Sequence, residues 1–323
     1  MEAHPEGLLI YGVRKMSGPQ HPLPKKVPYT KPALTLQAQL DQLKSRGMQV
    51  GDDALAIHHL GELNYYRLGA YWLPFENDHA NHRFSPNTSF EKVLNLYIFD
   101  RELRLLIMDA VERIEVSIRT KLAYVLGHKH GPHAHLKPAI FFDPIEYGRS
   151  ITKLDLEVKR SGEEFIKHLT KKYEELLPPI WAVVELMTIG QLSKWYNNLE
   201  SRHDRKAIAD TYDIDEKNLR SFLHHLCTVR NLCAHHSRVW NREYTFTFSI
   251  PNKRPQAALT SFNNDGRQTR KIYNTLVMLA YMMDRISPNH HWKSRLQTLI
   301  SDHTIDTKAM GFPIGWRTLP IWR

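Results

Sequence analysis

"FEKVLNLYIFDRELRLLIMDAVERIEVSIRTKLAYVLG" runs from Phe90 to Gly127 with no proline and no glycine before its last residue. No other stretch restricts the fold as strongly. Good helix formers fill it, and Val93, Tyr97, Ile107, Val111, Ile114, Ile118, Leu122 and Val125 recur at helical spacing. A helix this long is the axis around which the remaining chain must pack, which predicts a mainly helical bundle. Asp100 and Arg104 fall within the apolar stripe, and Glu115 lies on its edge. A carboxylate and an arginine on a core face imply either a buried polar network or a surface pair on a protruding end.

The remaining elements read as shorter helices. One begins at Thr35, with Leu36, Leu40 and Leu43 on one stripe and Gly47 as its stop. Asp52 or Asp53 can cap a second through "ALAIHHLGEL". The aromatic-rich "NYYRLGAYWLPF" follows, and residues 75–89 read as a polar loop. Residues 128–148 read as a loop rich in His and Pro, followed by charged helical sequence. A helix is expected from Pro178–Pro179 to Asn198, a short one over "RKAIADTY", and one from Glu216 to His235. "EYTFTFSI" alternates like a strand or extended segment. Helices over Arg270–Ile286 and His291–His303 precede an irregular tail. Residues 1–32, with five prolines from Pro19 to Pro32, read as a flexible or extended arm. Residues 33–323 form one helical domain or two packed lobes, with the tail from about 304.

Composition bounds the function classes. The net charge of +10 favours a polyanion partner such as nucleic acid, or an anionic membrane surface. Two cysteines, Cys227 and Cys233, cannot build a disulfide framework, and six positions apart on one helix they point away from each other. A reducing cytoplasm is the expected compartment. No apolar run is long enough to span a bilayer, so no membrane partner is expected.

"RNLCAHH", Arg230 to His236, carries the candidate chemistry. An Arg followed five positions later by a His is weak evidence alone. Chance supplies roughly one or two such pairs here, and the chain has Arg220–His225, Arg230–His235 and Arg285–His290. Asn follows the Arg only in the middle pair. On an ideal helix Leu219, Phe222, Leu223, Leu226 and Cys233 share an apolar face, and Arg230 projects from it. A guanidinium there needs an anion, and Asp100 or Glu115 could position it. Arg220 and His225 lie off that face, as a solvated flank.

"RNLCAHHSRVWN" resembles the signature of the Abi abortive-infection proteins, a branch of the HEPN superfamily. The likeness extends to "PALTLQAQLDQLKSRGM", "HLGELNYYRLGAYWLPF", "LYIFDRELRLLIMDAVERIEVSIRTKL" and "MGFPIGWRTLPIW", from about Tyr29 to Trp322. It implies an all-α, HEPN-like bundle with a long central helix and additional N- and C-terminal helices. The implied activity is an endoribonuclease acting in anti-bacteriophage defence. The likeness also implies a homodimer joining two Arg–His motifs in one cleft, and in some relatives a small non-coding RNA antitoxin. Arg230 and His235 take the catalytic positions and Asn231 the polar position beside them. Asp100 and Arg104 match a polar pair of the long helix, and His236 stands as a supporting residue.

The chemistry is coherent. RNA cleaves when its 2′-hydroxyl attacks the adjacent phosphorus, which needs a base, an acid and positive charge on the phosphorane. Histidine, with an ordinary pKa of about 6.5, can play either proton-transfer role, and an arginine fork matches phosphate oxygens. Neither metal nor cofactor is required, and DNA lacks the nucleophile. Residues five apart point about 140° away from each other on an ideal helix, so a helix end or a partner chain must bring Arg230 and His235 to one phosphate. "HKHGPHAH", His128 to His135, is a weaker candidate metal site, more readily a solvated loop. A non-catalytic RNA-binding or scaffold protein is the alternative reading.

Overall fold

The computed structural model describes residues 28–323, so most of the expected 1–32 arm lies outside the described residues; positions 28–32 are exposed and irregular. Thr35 caps α1 (Leu36–Ser45) through its hydroxyl, and Asp52 caps α2 (Asp53–Glu62) through its carboxylate. Helix α3 (Tyr65–Trp72) follows at once, with Tyr71 and Trp72 buried. The expected polar loop over 75–89 instead contains a small antiparallel hairpin, β1 (Glu76–Asp78) with β2 (Arg83–Phe84).

Helix α4 (Phe90–His130) is the axis. Forty-one residues at 1.5 Å each make it about 60 Å long. It runs one turn beyond the expected Gly127, because a mid-helix glycine is tolerable where packing favours it. Gly127 sits against Ile180 and Trp181, and a Cβ there would reach ordinary contact at 3.6 Å. Gly131, at φ +85°, ends the helix. Helix α3 and several helices from later in the chain pack around α4, which is why more than a single stripe of it is buried.

After α4 the chain makes two short 3-10 turns, then α5 (Pro144–Arg160) and α6 (Glu164–Lys172). The helix expected over 178–198 is two pieces, α7 (Ile180–Val183) and α8 (Ile189–Asn198). The break is chemical. Thr188 accepts from the Gln191 N–H while the Gln191 side chain accepts from the Thr188 N–H, a reciprocal cap that starts a new helix. Helices α9 (Arg202–Asp210) and α10 (Glu216–Ala234) follow. "EYTFTFSI" belongs to no strand; it crosses α10 as irregular chain bent at Thr245 and Phe246, burying Tyr244 and Phe248. After α11 (Gln256–Leu259), α12 (Tyr273–Ile286) buries every residue from Tyr273 to Met283, as a helix does when neighbours cover it on all sides. Helix α13 (Trp292–Asp302) and a tail of 3-10 turns close the bundle, with Trp316 and Trp322 buried. No helix among the described residues is long and apolar enough to cross a membrane. Both cysteines are free thiols.

Candidate functional site

Helix α10 carries the candidate motif on its last turns. Leu219, Phe222, Leu223, Leu226, Val229 and Cys233 bury its core face. Arg230 sits at the edge of that face, half-buried, rather than in its middle. Its guanidinium donates to the Asn231 side-chain oxygen at 3.4 Å. Arg230 and Asn231 line a cavity of about 400 Å³ between α5, α8 and α10, shared with Glu146, Arg149, Lys153 and Lys194. Lys194 is tied to Glu146 at 2.9 Å, which leaves Arg149, Lys153 and Arg230 without an ion-pair partner among the described residues. The cavity is therefore net positive. Cys227 lines it too, and burial pushes its thiol pKa up, so a reactive thiolate is disfavoured there.

The helix ends at the motif's histidines. His235 is the C-cap, with its imidazole exposed, and its N–H donates to the Asn231 carbonyl at 2.9 Å. His236 takes the left-handed conformation at φ +56°. The N–H of His236 reaches the Cys233 carbonyl at 3.1 Å and that of Ser237 reaches the Leu232 carbonyl at 2.8 Å. This is a Schellman ending with histidine where glycine is usual. His236 thus has a backbone task, and His235 is placed at the turn where the chain leaves the helix. The helix end falls at His235, not between it and Arg230. His235 does not line the cavity, and no hydrogen bond joins its side chain to Arg230. Asn231 faces the guanidinium rather than the imidazole.

Neither Asp100 nor Glu115 touches Arg230, contrary to expectation. Asp100 is fully buried and ion-pairs with Arg104. It also accepts from the Tyr71 hydroxyl at 2.7 Å and from the backbone N–H groups of Val239 at 3.1 Å and Trp240 at 2.6 Å. Burial holds its pKa above the ordinary carboxylate value, against the opposing pull of these donors. The Asp100–Arg104 network is therefore real, but it clamps the segment leaving α10. Arg67 adds to the clamp by donating to the His236 carbonyl at 3.0 Å, and Arg238 donates to the Ala70 carbonyl.

Glu115 also acts at one remove. It ion-pairs with Arg119, whose guanidinium donates to the Met187 carbonyl at 2.8 and 3.0 Å. That holds the turn into α8, where Thr188, Ile189 and Gly190 form one wall of the Arg230 cavity.

Other histidines depart from expectation. His225 is not on a solvated flank; it is 1% exposed and makes a 2.8 Å hydrogen bond with Thr275. Tyr244, Phe246 and Phe248 crowd its ring, because that irregular segment covers a side of α10 that helical periodicity leaves open. Arg220 is exposed as expected. The "HKHGPHAH" histidines disperse rather than converge: His130 bonds Asp204 at 2.7 Å, and His135 is buried. Among the described residues no three His, Cys, Asp or Glu side chains gather as a metal-binding group.

Arg67 and Tyr71 are site-organising residues that motif reading misses, since both lie far from the motif in sequence; Arg238 stands within "RNLCAHHSRVWN", but its partner Ala70 does not. The turn at Thr188 had a local signal, the Thr-x-x-Gln spacing of a reciprocal cap.

Neither the curated proteins nor the solved structures include a significant match to the chain. The family model for Abi-like proteins matches residues 58–241. That range opens shortly before Arg67 and Tyr71 and closes just after Trp240, so it encloses the clamp, α4, the cavity and the Arg–His motif together. Covering more than half of its length, the match shows that the chain belongs to the Abi-like protein family.

Proposed function

We propose that this protein is a metal-independent endoribonuclease of the HEPN type, acting in abortive infection as a homodimer. The observation that carries the reading is the arrangement at the end of α10. A net-positive cavity holds Arg230 and Asn231, while a clamped helix end presents His235 to solvent. Arg230 would grip the non-bridging oxygens of the scissile phosphate. One imidazole takes the proton of the 2′-hydroxyl as that oxygen bonds to phosphorus. A second imidazole protonates the 5′-oxygen as its bond to phosphorus breaks. The products are a 2′,3′-cyclic phosphate and a free 5′-hydroxyl. The separation of His235 from the Arg230 cavity within one chain supports a two-fold partner, since the facing motif could supply the histidine that the cavity lacks.

The same separation favours a second reading, RNA binding without cleavage. One experiment decides between them. Purified protein and its His235→Ala variant are incubated with RNA in excess EDTA, and the ends are analysed. Cyclic phosphate ends from the parent protein alone support the nuclease; intact RNA that remains bound supports the binder. Titrating His235→Ala chains into parent protein tests the composite site. Mixed dimers should lower activity faster than dilution does, and an active strict monomer would remove the dimer from the mechanism.

A further inference from the structure

We infer that single-stranded RNA runs from the Arg230 cavity along α10 toward its N-terminal end, with one unpaired base stacked on His224. This rests on the RNA reading above but not on cleavage. A second cavity, of about 680 Å³, adjoins the first and shares Glu146 and Lys194 with it. The two make one groove between α5, α8 and α10. Lys217, Arg220, His224, Cys227 and Asn231 follow one another at three- and four-residue steps, so the groove wall is a single face of α10.

Charge decides the kind of ligand. Among the described residues Arg149, Lys153, Lys217, Arg220 and Arg230 enter no ion pair, whereas the arginines of nearby α4 (Arg101, Arg104, Arg113 and Arg119) all do. The groove's carboxylates are already engaged: Asp143 caps α5 by accepting from Ile145 and Glu146, and Glu146 holds Lys194. Lys217, Arg220 and Arg230 are spaced along α10, and Arg149 and Lys153 line the groove from α5. From Lys217 to Arg230 the helix rises about 20 Å, room for about four nucleotides, the low end of single-strand site sizes.

An aromatic platform decides between single and double strands. The exposed ring of His224 lines the far cavity and stacks on Phe246, centroids 4.7 Å apart and planes 27° apart. A stacked pair of this kind offers a free face to an unpaired base, which a duplex does not present. An acidic protein segment would use the cations but not the platform.

The test uses the full chain with His235→Ala, so that RNA survives, and fluorescent oligoadenylate and oligouridylate as probes. Lys217→Glu/Arg220→Glu should weaken binding by at least about tenfold and flatten the log–log salt dependence by about 0.7 for each phosphate left without its cation. The neutral pair Lys217→Gln/Arg220→Gln should do the same to a lesser degree, with unchanged thermal melting. His224→Ala should weaken oligoadenylate by about tenfold and oligouridylate less. Unchanged affinity and salt slope in both double variants overturn the proposal, as does equal competition by oligoglutamate, which would point to an acidic protein. Groove binding without cleavage by the parent protein would sink the nuclease reading and leave this one standing.

Discussion

The buried carboxylate of Asp100 accepts a hydrogen bond from the backbone N–H of Trp240 at 2.6 Å, across 140 positions of sequence. Together with the bonds to Val239 and Tyr71 it fixes where the chain goes after His235. Asp100→Asn would replace an acceptor oxygen with an amide N–H₂ among N–H donors, with the Tyr71 hydroxyl alone able to turn and accept. Removing one partner of a buried charge costs about 3–5 kcal/mol. We expect a loss of that order in urea unfolding, faster hydrogen exchange at the Val239 and Trp240 amides, and lost cleavage with RNA affinity retained. Unchanged exchange at those amides would show that the clamp does not hold the segment.

His235 and His236 are neighbours with separable tasks. His235→Ala should abolish cleavage without altering stability. His236→Gly should keep cleavage, because glycine suits the left-handed position and changes stability by no more than about 1 kcal/mol. The two variants assayed side by side for cleavage and melting give the answer; a dead His236→Gly with a native fold would exchange the roles.

Arg230→Lys keeps the charge but loses the planar fork. Cleavage should fall by about two orders of magnitude, the scale of one lost transition-state donor, while the salt dependence of RNA binding stays the same. Equal loss of binding and turnover would assign Arg230 to binding alone.

Two buried histidines predict the acid response. Burial lowers the pKa of both His225 and His135 to about 4. The unfolded chain, with histidine near 6.5, therefore binds more protons than the folded one between those values. Stability is full above about pH 6.5 and falls as pH drops toward 4, by up to about 3 kcal/mol per histidine. Urea midpoints at a series of pH values should show the fall, and His225→Gln should shrink it. A flat profile across this window would rule out the assignment.

Much of the fold was legible because it rests on local signals. The run from Phe90 lacks breakers, Thr35 and Asp52 stand at cap positions, and the 3.6-residue period marks the core face of α10. What was not legible depends on distant chain. His225 is buried by residues 244–248, which no helical period foretells. Asp100 was visible as an anomaly on a core face, but its partners at Val239 and Trp240 lie far along the chain. An ideal helix places Arg230 inside, where it needs an anion; in the structure it is half-buried and opens onto a cavity.

The clamp also has a consequence for the order of synthesis. Arg67, Tyr71 and Asp100 leave the ribosome early, while the backbone groups they hold, from His236 to Trp240, come much later. A nascent chain that has reached His235 but not Trp240 therefore contains Arg230 and His235 before the clamp can fix the turn beyond them. Topology alone thereby withholds from unfinished chains any activity that needs the finished turn.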